Sequence, residues 1–117
     1  CWKEMELLNN KGYSIPIMVD ESIFTMADIQ KCKDIGVKYI KIKLCKFGSL
    51  NNLQKAVNLA NALNLSVVFG NGVASDIANF YEILFFNENE DKVYGAIESV
   101  GFLKLTNTLK YELLKGK

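Results

Sequence analysis

The chain alternates between two spacings of apolar residues. In some segments apolar side chains recur every three or four positions, which predicts amphipathic helices. Between these lie short runs rich in β-branched and aromatic residues, which predict strands. The predicted helices cover residues 2–8, 26–35, 50–63, 77–84 and 109–114, and the predicted strands cover 15–19, 39–44, 67–69 and 94–100.

Local start and stop signals support these boundaries. Thr25 and Asp28 have the spacing of a capping box at the start of the second helix, and Gly36 follows its last apolar residue. Ser75 is a candidate N-cap for the fourth helix. The polar stretch 87–92 predicts a loop.

This order of elements predicts an α/β fold with parallel strands. No glycine-rich nucleotide-binding fingerprint follows a strand, which disfavours a nucleotide-binding doubly wound sheet. Four strands with their helices amount to half of a (β/α)8 TIM barrel, and half a barrel cannot close. We therefore treat residues 1–117 as a partial barrel domain and expect further chain, or a second copy, to complete it.

Charged residues follow or interrupt the first two predicted strands. Asp20 and Glu21 end the first, while Lys41 and Lys43 alternate with isoleucines in the second. In a barrel this alternation directs the isoleucines to the helices and the lysines to the interior, with Lys43 nearer the catalytic rim. Burial lowers the pKa of a lysine, which favours a general base, and a carboxylate such as Asp20 suits Mg²⁺.

Each of these residues also has an ordinary structural interpretation. Lys43 could reach solvent from an edge strand, and Asp20 could be a turn or N-cap residue. Asn71 lies in a Gly-Asn-Gly turn, which either closes a tight loop or lets backbone approach a ligand. Glu98 interrupts an apolar strand, where it could pair with a buried lysine or contact a substrate. Lys41 has no assigned role beyond a possible ion pair with Glu21 or Glu98.

Composition removes several classes of function. The chain has no histidine, which excludes serine–histidine and cysteine–histidine catalysis within it. A net charge of +1 gives no reason to expect nucleic acid or an anionic membrane as partner. Three cysteines without CxxC spacing disfavour a disulfide framework or zinc site, so we expect a cytoplasmic protein. Because the chain opens on a cysteine within a helical pattern, we expect a fragment of a longer polypeptide.

Two segments resemble a known family. PIMVDESIF at residues 16–24 and IKIKLCKFG at residues 40–48 are similar to the barrel domain of the enolase superfamily, within its mandelate racemase/muconate lactonizing group. The turn at 70–72 and residues 98–102 are similar to that family's seventh and eighth strand ends. The resemblance covers nearly the whole chain and corresponds to strands five to eight of the barrel.

This resemblance implies a metal-dependent enzyme that removes the proton α to a carboxylate. The divalent metal, usually Mg²⁺, would be held by three carboxylates on consecutive strands, of which Asp20 is the third, and it stabilises the resulting enolate. Lys43 matches the family's base on the sixth strand, and Glu21, Asn71 and Glu98 are candidate substrate-binding or supporting residues. Since Asn71 stands where mandelate racemases have a histidine, the resemblance favours racemases, epimerases, cycloisomerases or o-succinylbenzoate synthases that use lysine bases.

The resemblance also implies what the chain lacks. The first two metal ligands, the partner lysine on the second strand and the capping domain are not in this sequence. We therefore expect the rest of its own polypeptide, a small carboxylate substrate and a homo-oligomer as partners, and an inactive isolated fragment. The alternative hypothesis is a non-catalytic α/β module that self-associates through open strand edges, with the same charges forming only a buried network.

Overall fold

Helices and strands alternate along most of the described chain, with two helices in succession after the second strand. The computed structural model describes residues 2–70 and 74–97. Its helices are α1 (Trp2–Asn10), α2 (Met26–Asp34), α3 (Leu44–Phe47), α4 (Leu50–Ala62) and α5 (Asp76–Glu88), followed by a 3₁₀ turn at Glu90–Lys92. Its strands are β1 (Met18–Val19), β2 (Tyr39–Ile42) and β3 (Ser66–Phe69). The predicted alternation is confirmed from α1 to α5.

The three strands form one parallel sheet in the order β1-β2-β3. Val19 pairs with Ile40 and Ile40 with Val67, and at the other end of β2 Ile42 pairs with Phe69. Parallel neighbours that are consecutive in sequence need a crossover connection, and α2 and α4 occupy the two crossovers. The predicted α/β class with parallel strands is therefore confirmed.

The hydrophobic core lies between one face of the sheet and the helices. The paired residues of that face are almost fully buried, and they belong to the same core cluster as the apolar stripes of α2 and α4. The sheet contributes Val19, Ile40, Ile42, Val67 and Phe69, and the two helices contribute Ile29, Cys32, Leu53, Ala56, Val57 and Ala60. The predicted orientation of the β2 isoleucines toward the helices is confirmed.

The predicted helix starts are also confirmed. The Thr25 hydroxyl accepts a hydrogen bond from the Asp28 amide, and the Asp28 carboxylate accepts one from the Thr25 amide. Burial acts to raise the pKa of Asp28, but hydrogen bonds from Thr25 and Phe24 outweigh it and lower that pKa. Ser75 caps α5 by accepting a hydrogen bond from the Ala78 amide.

The second strand is shorter than predicted. It ends at Ile42, and Leu44 begins the short helix α3 rather than continuing the strand. Gly48 explains the change, because it ends α3 in the left-handed conformation with φ of 72° and its amide donates to the Leu44 carbonyl. Lys43 lies between the two elements with an extended backbone.

Other predictions fall partly or wholly outside the described residues. Of the predicted fourth strand, residues 94–97 are described and form no strand, although the Tyr94 amide donates to the Val67 carbonyl of β3 at 2.6 Å. The remainder of that strand, the helix at 109–114, Asn71 and Glu98 lie outside the described residues. Among the helices that are described, none is long and apolar enough to cross a membrane.

Candidate functional site

The two residues at the centre of the sequence prediction meet at one edge of the sheet. Asp20 directly follows β1, and Lys43 directly follows the neighbouring parallel strand β2. The Lys43 ammonium nitrogen lies 2.6 Å from Oδ1 of Asp20. Since both residues follow the carboxyl ends of parallel strands, this edge corresponds to the catalytic rim of a barrel.

Lys41 and Lys43 lie on the face of β2 opposite the helix-facing isoleucines. Both are buried, with 9% and 6% of their surface exposed. Removing an ammonium from water costs several kcal/mol unless an anion compensates it. Asp20 supplies that anion, because its Oδ1 contacts Lys43 and its Oδ2 lies 4.0 Å from the Lys41 nitrogen.

Glu21 adds a second carboxylate to the cluster. Its Oε1 lies 2.6 Å from the Lys43 nitrogen, and its Oε2 lies 3.0 Å from the nitrogen of Lys46. Hydrogen bonds from Lys43 and then Lys46 lower the pKa of Glu21 to about 2, although its side chain is 76% exposed. The suggested partner Lys41 is therefore not the lysine that Glu21 contacts in the described structure.

Lys46 is a member of this site to which sequence reasoning assigned no role. Its ammonium donates to the main-chain carbonyl of Asp20 at 2.8 Å and contacts the side chains of both carboxylates. The available signal was spacing, because Lys46 lies three residues after Lys43, the N-cap residue of the short helix α3 that Gly48 ends.

The sequence predicted a lowered pKa for Lys43, and this prediction is wrong. Burial does act to lower the pKa of Lys43, but the hydrogen bonds to Asp20 and Glu21 and their negative charges outweigh it, so that pKa is raised. The expectation of a lowered pKa considered desolvation without the anionic partners. In this arrangement Lys43 is an ammonium at neutral pH, which is the form that can give up a proton.

Gly70 leaves room for the buried Lys41 side chain. A Cβ added at Gly70 would collide with Cε of Lys41 and lie 3.2 Å from its nitrogen. Gly70 follows β3, so the lysine of the middle strand crosses the sheet face toward its neighbour. Any side chain at this position would therefore require the Lys41 side chain to shift.

We expect Gly70→Ala to lower the free energy of unfolding by about 1 kcal/mol, the low end of the cost of overpacking, because the colliding atom is near the end of a flexible side chain. The same substitution in a Lys41→Ala background should cost much less, because the colliding side chain is gone. Urea denaturation of the two single variants and the double variant measures this coupling. An equal loss of stability in both backgrounds would show that the Lys41 side chain is not what Gly70 makes room for.

The described residues match a divalent metal in chemistry but supply too few ligands. Asp20 offers hard carboxylate oxygens of the kind that Mg²⁺ prefers. Its Oδ1 faces Lys43 and Lys46, so Oδ2 is the oxygen better placed for a cation. No group of three or more His, Cys, Asp or Glu side chains suited to a metal occurs within residues 2–70 and 74–97. Asp20 can thus be one ligand of a site whose others come from elsewhere.

The two described cysteines, Cys32 and Cys45, are not part of the site. Cys32 lies in the core between helices and sheet, where burial raises the pKa of its thiol to about 12. Cys45 is exposed, and neither of these two cysteines forms a disulfide. A thiol that stays protonated is a poor nucleophile.

Comparison with known proteins relates the chain to a known family. The sequence pattern of the family described as enolase C-terminal domain-like matches residues 2–92. No curated protein sequence matches the chain.

Solved structures with the same fold are enzymes of the mandelate racemase/muconate lactonizing group. N-succinyl Arg/Lys racemase from Bacillus cereus is 20% identical, with a TM-score of 0.79 over 90% of this chain and 28% of its own. L-Ala-D/L-Glu epimerase from Bacillus subtilis is 20% identical, with a TM-score of 0.75 over 92% of this chain and 30% of its own. Muconate lactonizing enzyme from Pseudomonas putida is 21% identical, with a TM-score of 0.70 over 87% of this chain and 28% of its own.

The chain thus spans less than a third of the length of these enzymes. Its helices and parallel strands correspond to part of their barrel domain. The chain belongs to the enolase C-terminal domain-like family, within the mandelate racemase/muconate lactonizing group of the enolase superfamily, and its fold agrees with the C-terminal half of that group's (β/α)8 barrel.

Proposed function

We propose that the protein containing this chain removes and returns the proton α to a carboxylate in a small substrate, with the help of a divalent metal. The observation that carries the proposal is the 2.6 Å contact between Lys43 and Asp20 at adjacent strand ends. At this separation a proton-transferring ammonium and a metal-ligating carboxylate can both act on one substrate. Racemisation, epimerisation and cycloisomerisation are the reactions that the names of the similar structures carry.

Asp20 would hold the metal through the carboxylate oxygen that faces away from Lys43. Mg²⁺ is the ion proposed here, and when bound it supplies positive charge beside the substrate carboxylate, where negative charge develops as the α-proton leaves. The other oxygen of Asp20 stays with Lys43 and Lys46. The same carboxylate would thereby orient the lysine relative to the substrate.

Lys43 would exchange a proton with one face of the substrate's α-carbon. Its nitrogen is buried and held by two carboxylates, which restricts its position and favours its protonated form. Glu21 supports this arrangement through its own contact with the nitrogen. Asn71 and Glu98 remain proposed substrate-binding or supporting residues from the family resemblance.

The remaining parts of the machinery are proposed to come from the rest of the polypeptide. One carboxylate is too few for a Mg²⁺ site, so the other ligands, a second lysine and the capping domain would lie in chain outside these residues. The 117-residue chain alone would therefore be inactive. A homo-oligomer in the cytoplasm is the proposed setting of the complete enzyme.

Deuterium exchange tests the proposal directly. The complete protein is freed of metal with a chelator, supplied with Mg²⁺ and incubated in D₂O with N-succinyl amino acids, Ala-Glu dipeptides and other small α-substituted carboxylates. We expect NMR to show loss of the α-proton signal of at least one substrate with Mg²⁺ present and none after chelation. Exchange that persists without any divalent ion would contradict the metal's role.

Two further results would favour the non-catalytic alternative. One is the absence of α-proton exchange with every substrate tested, together with self-association that Asp20→Asn and Lys43→Ala leave unchanged. The other is a parent sequence without acidic residues at two more strand ends.

Tight Mg²⁺ binding by the 117-residue chain alone, measured by calorimetry, would contradict the need for ligands from elsewhere.

A further inference from the structure

The Lys46 side chain is buried, and the roles proposed for Asp20 and Lys43 do not require a third lysine there. Only 6% of its side chain is exposed, although it stands on the short helix α3 at the rim of the sheet. Surface lysines normally keep their ammonium in water, since burial of the charge is costly. The position of Lys46 therefore requires strong compensating contacts.

Those contacts converge on the turn that carries Asp20 and Glu21. The Lys46 nitrogen donates to the Asp20 main-chain carbonyl at 2.8 Å, which also accepts the amide of Ile23 at 3.3 Å. The same nitrogen lies 3.0 Å from Oε2 of Glu21 and 3.4 Å from Oδ1 of Asp20. One ammonium thus holds the backbone of the turn and both of its carboxylates.

The surroundings of Lys46 restrict its movement. Its nitrogen lies 5.1 Å from the centre of the Phe24 ring, in a cation–π contact. The next residue, Phe47, is buried, and its carbonyl accepts a hydrogen bond from the Asn52 side chain of α4. Core packing therefore fixes the helix from which Lys46 reaches the turn.

The contact with Glu21 connects Lys46 to Lys43. The two oxygens of Glu21 are divided between the lysines, with Oε1 on Lys43 and Oε2 on Lys46. Because the Glu21 side chain is 76% exposed, packing alone would leave it free to turn into solvent. Lys46 supplies the second attachment that keeps its carboxylate on Lys43.

We propose that Lys46 is a positioning residue that clamps the Asp20–Glu21 turn and thereby sets the orientation of Lys43. It would not exchange a proton with the substrate, because its nitrogen is already engaged by three oxygens of the turn. This inference rests on the proposed function for its catalytic consequence. The clamp itself is a structural property that can be measured without a substrate.

The first measurement is backbone deuteration of residues 20–24 in the complete protein, followed by mass spectrometry. We expect Lys46→Met to speed deuteration of this segment by about 10-fold or more, because the turn loses its side-chain anchor. Lys46→Arg, which keeps a charged donor, should stay closer to the wild-type protein. Lys55→Met removes an exposed lysine of α4 and serves as the matched control, with no change expected in this segment.

The second measurement is α-proton exchange by the same variants. We expect Lys46→Met to lower kcat by about 10- to 100-fold, the effect of a small displacement of a catalytic group. KM should change by less than about threefold, because Lys46 does not contact the substrate. Lys46→Arg should recover part of the lost kcat. The losses of Glu21→Gln and Lys46→Met should be less than additive, since both act through one carboxylate.

The two measurements separate this inference from the proposed function. Unchanged deuteration in Lys46→Met would overturn the clamp. Faster deuteration with unchanged kcat would show that the clamp exists but does not contribute to catalysis. A wild-type protein that exchanges no substrate would instead remove the proposed function, and the deuteration result alone would then decide whether the clamp exists.

Discussion

Lys43→Ala should lower the rate of α-proton exchange by about 10²- to 10⁴-fold, the range that a positioned general acid or base contributes. The substitution removes the only described ammonium that contacts both Asp20 and Glu21 at 2.6 Å. If a second base serves the opposite face of the substrate, the loss should be greater for one enantiomer than for the other. Exchange in D₂O, followed by NMR for each enantiomer separately, measures this asymmetry.

Two further variants show whether a loss of exchange comes from the lost proton transfer or from the lost positive charge. Lys43→Arg keeps a positive charge beside Asp20, but a guanidinium does not release its proton in the accessible pH range. It should therefore fold like the wild-type protein and remain as inactive as Lys43→Ala. Lys55→Ala, on the exposed side of α4, is the matched control and should exchange normally. Normal exchange by Lys43→Ala from both enantiomers would remove Lys43 from the mechanism.

Asp20→Asn should weaken Mg²⁺ binding to the complete protein by about 100-fold or more. Loss of an outer-shell partner alone costs 10- to 100-fold in metal affinity, so loss of a charged ligand should cost at least as much. The amide keeps the shape of the side chain but removes the negative charge that attracts the cation. Calorimetric titration with Mg²⁺ gives the affinity.

The control for Asp20→Asn is the same chemical change at a surface site. Asp34 ends α2 and accepts a hydrogen bond from Gln30, so Asp34→Asn removes a carboxylate without touching the strand ends. We expect Asp34→Asn to bind Mg²⁺ with wild-type affinity. If Asp20→Asn also kept that affinity while its circular dichroism stayed native, Asp20 could not be a metal ligand.

Local patterns predicted most of the secondary structure because their causes are local. The capping box of Thr25 and Asp28 depends on residues three apart, and the alternation of Ile40 and Ile42 with lysines depends on the strand period alone. The strand predicted at 39–44 was too long for a similar reason. Its apolar period continues to Leu44, whereas Gly48, four residues later, allows the chain to close a helical turn there.

The site was predicted only in part, because its energetics depend on contacts between distant segments. Asp20 and Lys43 followed from strand ends and family resemblance, but the sign of the Lys43 pKa shift depends on two carboxylates 22 and 23 residues away. Lys46 was missed because the main-chain carbonyl that it binds has no signature in a sequence. The collision that a side chain at Gly70 would make likewise depends on the path of Lys41 across the sheet.

The sequence by itself determined the α/β alternation, the helix-facing core of the sheet and the residue types available at its edge, since these depend on periodicity and on chemistry carried by single residues. Only the tertiary structure decided which charges meet and in what protonation state. A buried ammonium is destabilised by desolvation and stabilised by its anionic neighbours, and the balance between these terms depends on distances of a few ångströms. At Lys43 the neighbours outweigh the burial.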